Sequence, residues 1–274
     1  MGGSVTPDEA IEAIRGTGGA CPGYRALHAK GTLYRGTFTA TPEAAGLSRA
    51  KHFDGATVAA LIRFSNGSGK PTQRDGAPGV RGMAVKFTLP DKSTTDVSMQ
   101  TARLFTSSTP EGFVDVLKVL RPSLTTPARI AKYLVTHPRV LAALPILGAA
   151  NRIPASYATC EYHGLHAFRW VAADGSARFV RYHMIPAVGE KFLSPLAAAT
   201  RAATSSPTNC KPASPPGRCG SIFASKSPAR GIRSSIRRCL GRVRRWSPSA
   251  PLTSLALTPN ANTTAISSCS TRCG

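Results

Sequence analysis

The sequence changes character after Glu190, which is its last acidic residue. Residues 191–274 contain thirteen Lys and Arg, five of the seven cysteines, no Asp or Glu and no tyrosine. Residues 1–190, in contrast, show ordinary alternation of apolar and polar residues, broken by turns rich in Gly and Pro. We therefore expect one folded domain over residues 1–199, followed by a basic, Ser-, Pro- and Arg-rich tail over residues 200–274 that is disordered.

No targeting or membrane segment is predicted. The N-terminal residues lack a basic start followed by an apolar stretch, which predicts no secretory signal and a cytoplasmic protein. The longest apolar run, residues 140–150, contains Pro145 and is shorter than the roughly 18 residues of a bilayer span, so we expect a buried helix there. The odd cysteine count and the lack of a Cys-x-x-Cys pair argue against a disulfide framework and a zinc site.

Local patterns predict an α+β fold. Cap, proline and acid patterns start helices at Thr6 and Thr109, and another helix is expected near Thr126. Period-two alternation and β-branched residues predict most of the strands. The expected strands are Gly31–Ala40, Val58–Ser65, Gly79–Leu89, Tyr157–Tyr162, His166–Val171 and Ala177–Ile185, with a hairpin turn at Ala172–Gly175 before the last.

Three segments carry the candidate chemistry: Tyr24–Gly31, Leu61–Ser65 and Val80–Phe87. Together with Gly36–Thr39, Asp96, Phe105, Thr109–Glu111 and Ala167–Arg169, they resemble the catalase family, and in particular its short catalase-related peroxidases. The resemblance covers about residues 20–195. It implies an antiparallel β-barrel with flanking helices, which binds haem b and acts on peroxide.

The resemblance also implies a role for each candidate residue. His28 would be the catalytic base and acid over the iron, since a neutral imidazole can accept a proton and return it. Ser65 would hold its second ring nitrogen, and Thr101 stands where large catalases have an asparagine, which favours peroxidation over dismutation. Arg25 and Arg63 would bind the haem propionates, as guanidinium groups pair well with carboxylates. Leu27 and Phe105 would contact the cofactor.

The remaining histidines have no such support and are expected to be structural or exposed. They are His52, His137, His163, His166 and His183.

The expected iron ligand is missing. Catalases hold the iron through a tyrosine, which the resemblance places near the C-terminal end of the domain, four residues after an arginine. This chain has no tyrosine after Tyr182, so we expect no protein ligand of this kind. We hypothesise that the tail is read out of frame; a confirmed gene sequence with no Arg-x-x-x-Tyr in its other frames would refute this.

Two alternatives to a peroxidase using an electron donor remain open. The first is a catalytically silent, haem-free member of the same fold. The second takes Lys226–Arg245, with Trp246 behind it, as a basic arm that binds polyanions. No nucleic-acid-binding motif accompanies this arm, so we expect no specific nucleic-acid binding.

Overall fold

An antiparallel sheet forms the centre of the protein. The computed structural model describes residues 5–199, 218–226 and 253–258. Nine strands occur in these residues: β1 Gly31–Ala40, β2 Thr57–Asn66, β3 Arg81–Thr88, β4 Thr94–Gln100, β5 Tyr162–His163, β6 Phe168–Val171, β7 Ala177–Ile185, β8 Arg218–Lys226 and β9 Thr253–Thr258. The helices are α1 Pro7–Gly18, α2 Pro42–Ala45, α3 Pro110–Leu120, α4 Thr126–Thr136, α5 Pro138–Ala149 and α6 Pro195–Ala199. This arrangement confirms the expected α+β class.

The strands lie in the order β5-β4-β3-β2-β1-β9-β8-β7-β6, and β5 also pairs with β7. The short strand β5 therefore links β4 to β7, through Gln100 opposite His163 on one side and His163 opposite His183 on the other. Because this link is only two residues long, the sheet curls back on itself without closing into a regular barrel.

The core lies on one face of the sheet. Alternate residues of β2 and β3 point into it, among them Ile62, Val85 and Phe87, each at most 1% exposed. Phe38 of β1 contacts both Phe53 and Phe87, with ring centroids 6.1 Å and 4.7 Å away. The opposite face of β2 and β3 is left for the residues of the candidate site.

Two predicted helix starts are confirmed. Thr6 caps α1 by accepting a hydrogen bond from the Glu9 amide, while the Glu9 carboxylate accepts one from the Thr6 amide. Thr109 caps α3 in the same sense, through a 3.2 Å hydrogen bond from the Gly112 amide. Helices α1 and α3 pack against each other. In the part of the chain that the structure describes, no helix has the length and apolar character needed to cross a bilayer.

Two sequence predictions are wrong in detail. The segment 157–162 is not one strand: a 3-10 helix, Tyr157–Thr159, begins after Ser156, whose side chain caps it, and only Tyr162 joins the sheet. Helix α5 is not buried, since Leu141 is 51% exposed and Leu144 is 41% exposed. An apolar composition predicted the helix, but composition cannot say whether a neighbouring element covers it.

The tail is not wholly without structure. Residues 218–226 and 253–258, which we expected to be disordered, are strands that pair with each other, with β7 and with β1. The alternation of Leu255 and Leu257 with smaller residues suits a strand, and the neighbouring edges of β1 and β7 offer backbone partners. Most of the basic arm and the rest of the tail lie outside the described residues, so the boundary at residue 199 and the out-of-frame reading stay predictions.

We predict that Phe38→Ala destabilises the protein by about 3–5 kcal/mol, because it removes a fully buried ring from the centre of the core. Urea denaturation followed by circular dichroism measures the change. The control is Phe179→Ala on β7, a ring that is 45% exposed and should cost about 1 kcal/mol or less. Equal losses in the two variants would contradict the placement of the core.

Candidate active site

His28 lies in the loop before β1 and has an unusual backbone conformation. Its φ angle is +56°, in the left-handed region that residues other than glycine rarely adopt. Surrounding contacts hold this conformation: Arg63 Nη2 donates to the His28 carbonyl at 2.7 Å, and the Ala29 amide donates to the Ser68 carbonyl at 3.0 Å. Backbone strain that persists under such contacts is typical of functional positions.

The imidazole of His28 lies against the outer face of β2 and β3. Its Nδ1 atom is 3.0 Å from Ser65 Oγ, as the sequence resemblance implied. Gly82 of β3 is the neighbour of Ser65 in the sheet, and a Cβ atom there would lie 2.8 Å from His28 Cε1, His28 Nδ1 and Ser65 Oγ. The imidazole therefore occupies space that exists only because residue 82 has no side chain.

The charge state of His28 follows from this packing. Burial lowers the pKa of the imidazole, the nearby positive charge of Arg63 lowers it further, and a backbone hydrogen bond with Asn66 acts in the opposite direction. The balance keeps the pKa below its ordinary value of 6.5. His28 is thus neutral at neutral pH and has a lone pair available to accept a proton.

Arg25 and Arg63 lie close enough for their charges to repel. Burial is the main cause of the lowered pKa of Arg63, and the charge of Arg25 is the second. Within the described ranges, neither guanidinium forms an ion pair with an Asp or Glu side chain. Two uncompensated cations beside a neutral imidazole favour an anionic group at this place.

The remaining predicted site residues are Thr101, Leu27 and Phe105. The Thr101 hydroxyl forms two hydrogen bonds with backbone groups. It accepts one from the Arg81 amide at 3.0 Å and donates one to the Ala150 carbonyl at 3.3 Å. Leu27 is half-buried beside His28 in the same loop. Phe105 is 53% exposed and packs on Phe113, with ring centroids 5.0 Å apart. Peroxide binding by Thr101 and cofactor contacts of Leu27 and Phe105 stay predictions.

The tyrosine hydroxyls whose partners are known are engaged within the sheet and its loops. Tyr162 donates to the Tyr157 carbonyl at 2.7 Å, Tyr182 accepts from Trp170 Nε1 at 3.2 Å, and Tyr157 donates to Asp75 Oδ1 at 3.2 Å. The Tyr157 hydroxyl also lies near enough to Arg63 to raise the pKa of that guanidinium, so Tyr157 borders the arginine and histidine cluster.

Known proteins resemble this chain in sequence and in fold. A family model described as catalase matches residues 22–211. A catalase-related peroxidase of Mycolicibacterium paratuberculosis is 76% identical over 194 residues, which cover 71% of this chain and 62% of that protein. A catalase-related peroxidase of Synechococcus elongatus is 36% identical over 194 residues, which cover 69% of this chain and 57% of that protein.

Solved structures agree on the fold. Catalase A from Saccharomyces cerevisiae superimposes with a TM-score of 0.65 at 19% identity, covering 86% of this chain and 52% of the yeast chain. A fungal catalase gives a TM-score of 0.66 at 20% identity, with coverage of 86% and 50%. Since the family model matches more than half of the chain, the protein belongs to the catalase family. It spans 62% and 57% of the length of the two curated relatives.

Haem is the cofactor that this family implies, and the described residues fit one side of it. Arg25 and Arg63 would supply cations for its propionates, and the His28 imidazole, packed over Gly82, would face the iron. On the opposite side of haem, catalases bind the iron through a tyrosine, and this chain has no tyrosine after Tyr182 for that role.

We predict that Gly82→Ala displaces the His28 imidazole, because the added methyl group would lie 2.8 Å from the ring. With less burial, the pKa of His28 should rise toward 6.5. The NMR titration of ¹³C-labelled histidine rings measures this shift. Gly148→Ala in α5, where a Cβ atom meets nothing within 4 Å, is the control and should leave the titration unchanged. An unshifted His28 in Gly82→Ala would show that the ring does not lie where we place it.

Proposed function

We propose that this chain is a haem b-dependent peroxidase of the cytoplasm, which reduces hydrogen peroxide or small organic peroxides with electrons from a separate reductant. The observation that carries the proposal is the His28 imidazole, held 3.0 Å from Ser65 Oγ and flanked by two arginines that have no acidic partner among the described residues. Family membership and the names of the two curated relatives support it.

In this proposal His28 moves the protons. With hydrogen on Nδ1 donating to Ser65 Oγ, the Nε2 atom is left as the base. It accepts a proton from one peroxide oxygen and returns it to the leaving oxygen, which departs as water or an alcohol. Two electrons from the reductant and two protons complete the reduction of one peroxide. A bound haem supplies the electron transfer that cleaves the O–O bond.

Arg25 and Arg63 have two tasks in this proposal. They bind carboxylates of the cofactor, and they disfavour the protonated form of His28, which would be unable to accept a proton. The lowered pKa of His28 therefore places the acid limb of kcat/KM below pH 6.5. Since the positive charge lowers this pKa, an uncharged residue at position 63 would move the limb toward higher pH.

Turnover by the chain as written is proposed to be weak. A tyrosinate ligand donates electron density to the iron, and the sequence has no tyrosine after Tyr182 to serve as one. This same observation favours a second candidate function, a haem-free protein of the catalase fold without peroxidase turnover.

We predict that His28→Ala lowers peroxidase kcat/KM by about 10²–10⁴-fold, the usual contribution of a general acid and base. Ser65→Ala should lower it by about fivefold, because one hydrogen bond of roughly 1 kcal/mol no longer orients the ring. Oxidation of a chromogenic phenol in the presence of haemin measures both. His166→Ala, at an exposed histidine, is the control and should be without effect. Unchanged turnover in His28→Ala would refute the proposed role.

We predict that purified full-length chain binds added haemin with a Soret band that lacks tyrosinate charge-transfer features. Arg63→Gln should weaken binding by about tenfold, as one charge-assisted hydrogen bond to a propionate is lost. Absorption titration measures both properties. Arg178→Gln, on β7 opposite Trp170 of β6, is the matched control. Absence of a Soret shift would favour the haem-free candidate, and tyrosinate bands would require a protein ligand that we have not identified.

A further inference from the structure

A second cluster of chemical groups lies on the sheet away from His28. The carboxylate oxygen Glu161 Oε2 is 3.0 Å from His183 Nε2 and 3.7 Å from His163 Nε2. The potential donor atoms of these three residues all lie within 4.8 Å of one another, and all three side chains are half-buried. Both histidines were expected to be structural or exposed, because no motif of the family resemblance includes them.

The geometry suits a divalent cation. Zn²⁺ binds imidazole nitrogen and carboxylate oxygen at about 2.0–2.1 Å, which separates tetrahedral donor atoms by about 3.4 Å. The two measured separations from Glu161 Oε2, 3.0 Å and 3.7 Å, lie on either side of that value. The histidine rings are stacked, with centroids 4.3 Å apart and planes inclined by 26°, so that both Nε2 atoms approach the same oxygen.

The cluster lies at β5, the shortest of the described strands. His163 belongs to β5, and Glu161 is the residue immediately before that strand. His183 lies opposite His163 on β7. Strand β5 contains only two residues and is the connection between β4 and β7. A cation held by both strands would secure this connection.

We propose that Glu161, His163 and His183 form a binding site for one divalent cation of the Zn²⁺ type, which clips β5 to β7. Two imidazoles and one carboxylate are a ligand set that Zn²⁺ and its neighbours Co²⁺ and Ni²⁺ accept, with a remaining position for water. Arg103 Nη2 is 3.0 Å from the same Glu161 oxygen, but its side chain is 64% exposed and is free to turn toward solvent when a cation arrives. None of the three residues has a role in the proposed peroxidase function, so the site can be tested without haem.

We predict that the full-length chain, stripped of metal, binds one equivalent of Co²⁺ at this site. The visible d–d bands should appear without the near-ultraviolet charge-transfer bands of cysteine ligation, and Zn²⁺ should displace the Co²⁺. His183→Asn and Glu161→Gln should each weaken binding by more than about 100-fold, since even residues behind the metal ligands contribute 10–100-fold. His166→Asn, which alters an exposed histidine in the loop between β5 and β6, should leave binding unchanged.

The variant Arg103→Gln distinguishes a cation-binding site from an ion pair that only stabilises the fold. If Arg103 competes with the cation for Glu161, removing it should tighten Co²⁺ binding by about two- to fivefold, the value of an exposed ion pair. Zn²⁺ should also raise the melting temperature of the unaltered protein but not of His183→Asn, because the cation binds only the folded site. The proposal is overturned if Co²⁺ binding shows only cysteine bands, if it survives in His183→Asn and Glu161→Gln, or if Arg103→Gln weakens it.

Discussion

The candidate active site depends on the missing side chain at Gly82. Ser65 and Gly82 are paired neighbours on β2 and β3, and the imidazole of His28 lies over both of them. A methyl group at residue 82 would lie 2.8 Å from two ring atoms and from the hydroxyl that orients the ring. A register shift of one residue between β2 and β3 would bring a side chain into the same space. The chemistry of His28 is therefore coupled to the pairing of two long strands, which the buried residues on the opposite face hold in register.

The same place concentrates positive charge. Arg63 donates a hydrogen bond to the His28 carbonyl, which holds the loop before β1. Its positive charge also helps to keep the His28 imidazole neutral. Arg25 is exposed and adds a second cation. The two positive charges repel, and neither guanidinium pairs with an acid among the described residues, so the pair favours a ligand that carries carboxylates. The haem propionates of the proposed function would meet that requirement.

The sequence was a good guide where a pattern repeats within one element. The predicted bounds of β1 and β7 agree with the structure, those of β1 from its β-branched and aromatic residues, and the cap patterns predicted the starts of α1 and α3. The contact between His28 and Ser65 followed from a family resemblance, since 36 residues separate them in the chain. The short strand β5 was misread, because its place in the sheet depends on partners from β4 and β7. Thr101 was selected because the family resemblance places it where large catalases have an asparagine; its hydrogen bonds with the Arg81 amide and the Ala150 carbonyl depend on tertiary neighbours that the sequence does not reveal.

The His28 site and the cluster of Glu161, His163 and His183 lie on the same face of the sheet. They are joined by one row of residues that lie opposite each other on neighbouring strands. Gly82 is opposite Gln100, Gln100 is opposite His163, and His163 is opposite His183. The residues beside each of them, Met83, Met99, Tyr162 and Tyr182, point into the core, so by alternation the row itself points the other way. With strands about 4.8 Å apart, His163 lies about 10 Å from Gly82. A cation that fixes β5 against β7 would therefore stiffen the row that ends under His28, which connects the stability of the short link to the position of the imidazole.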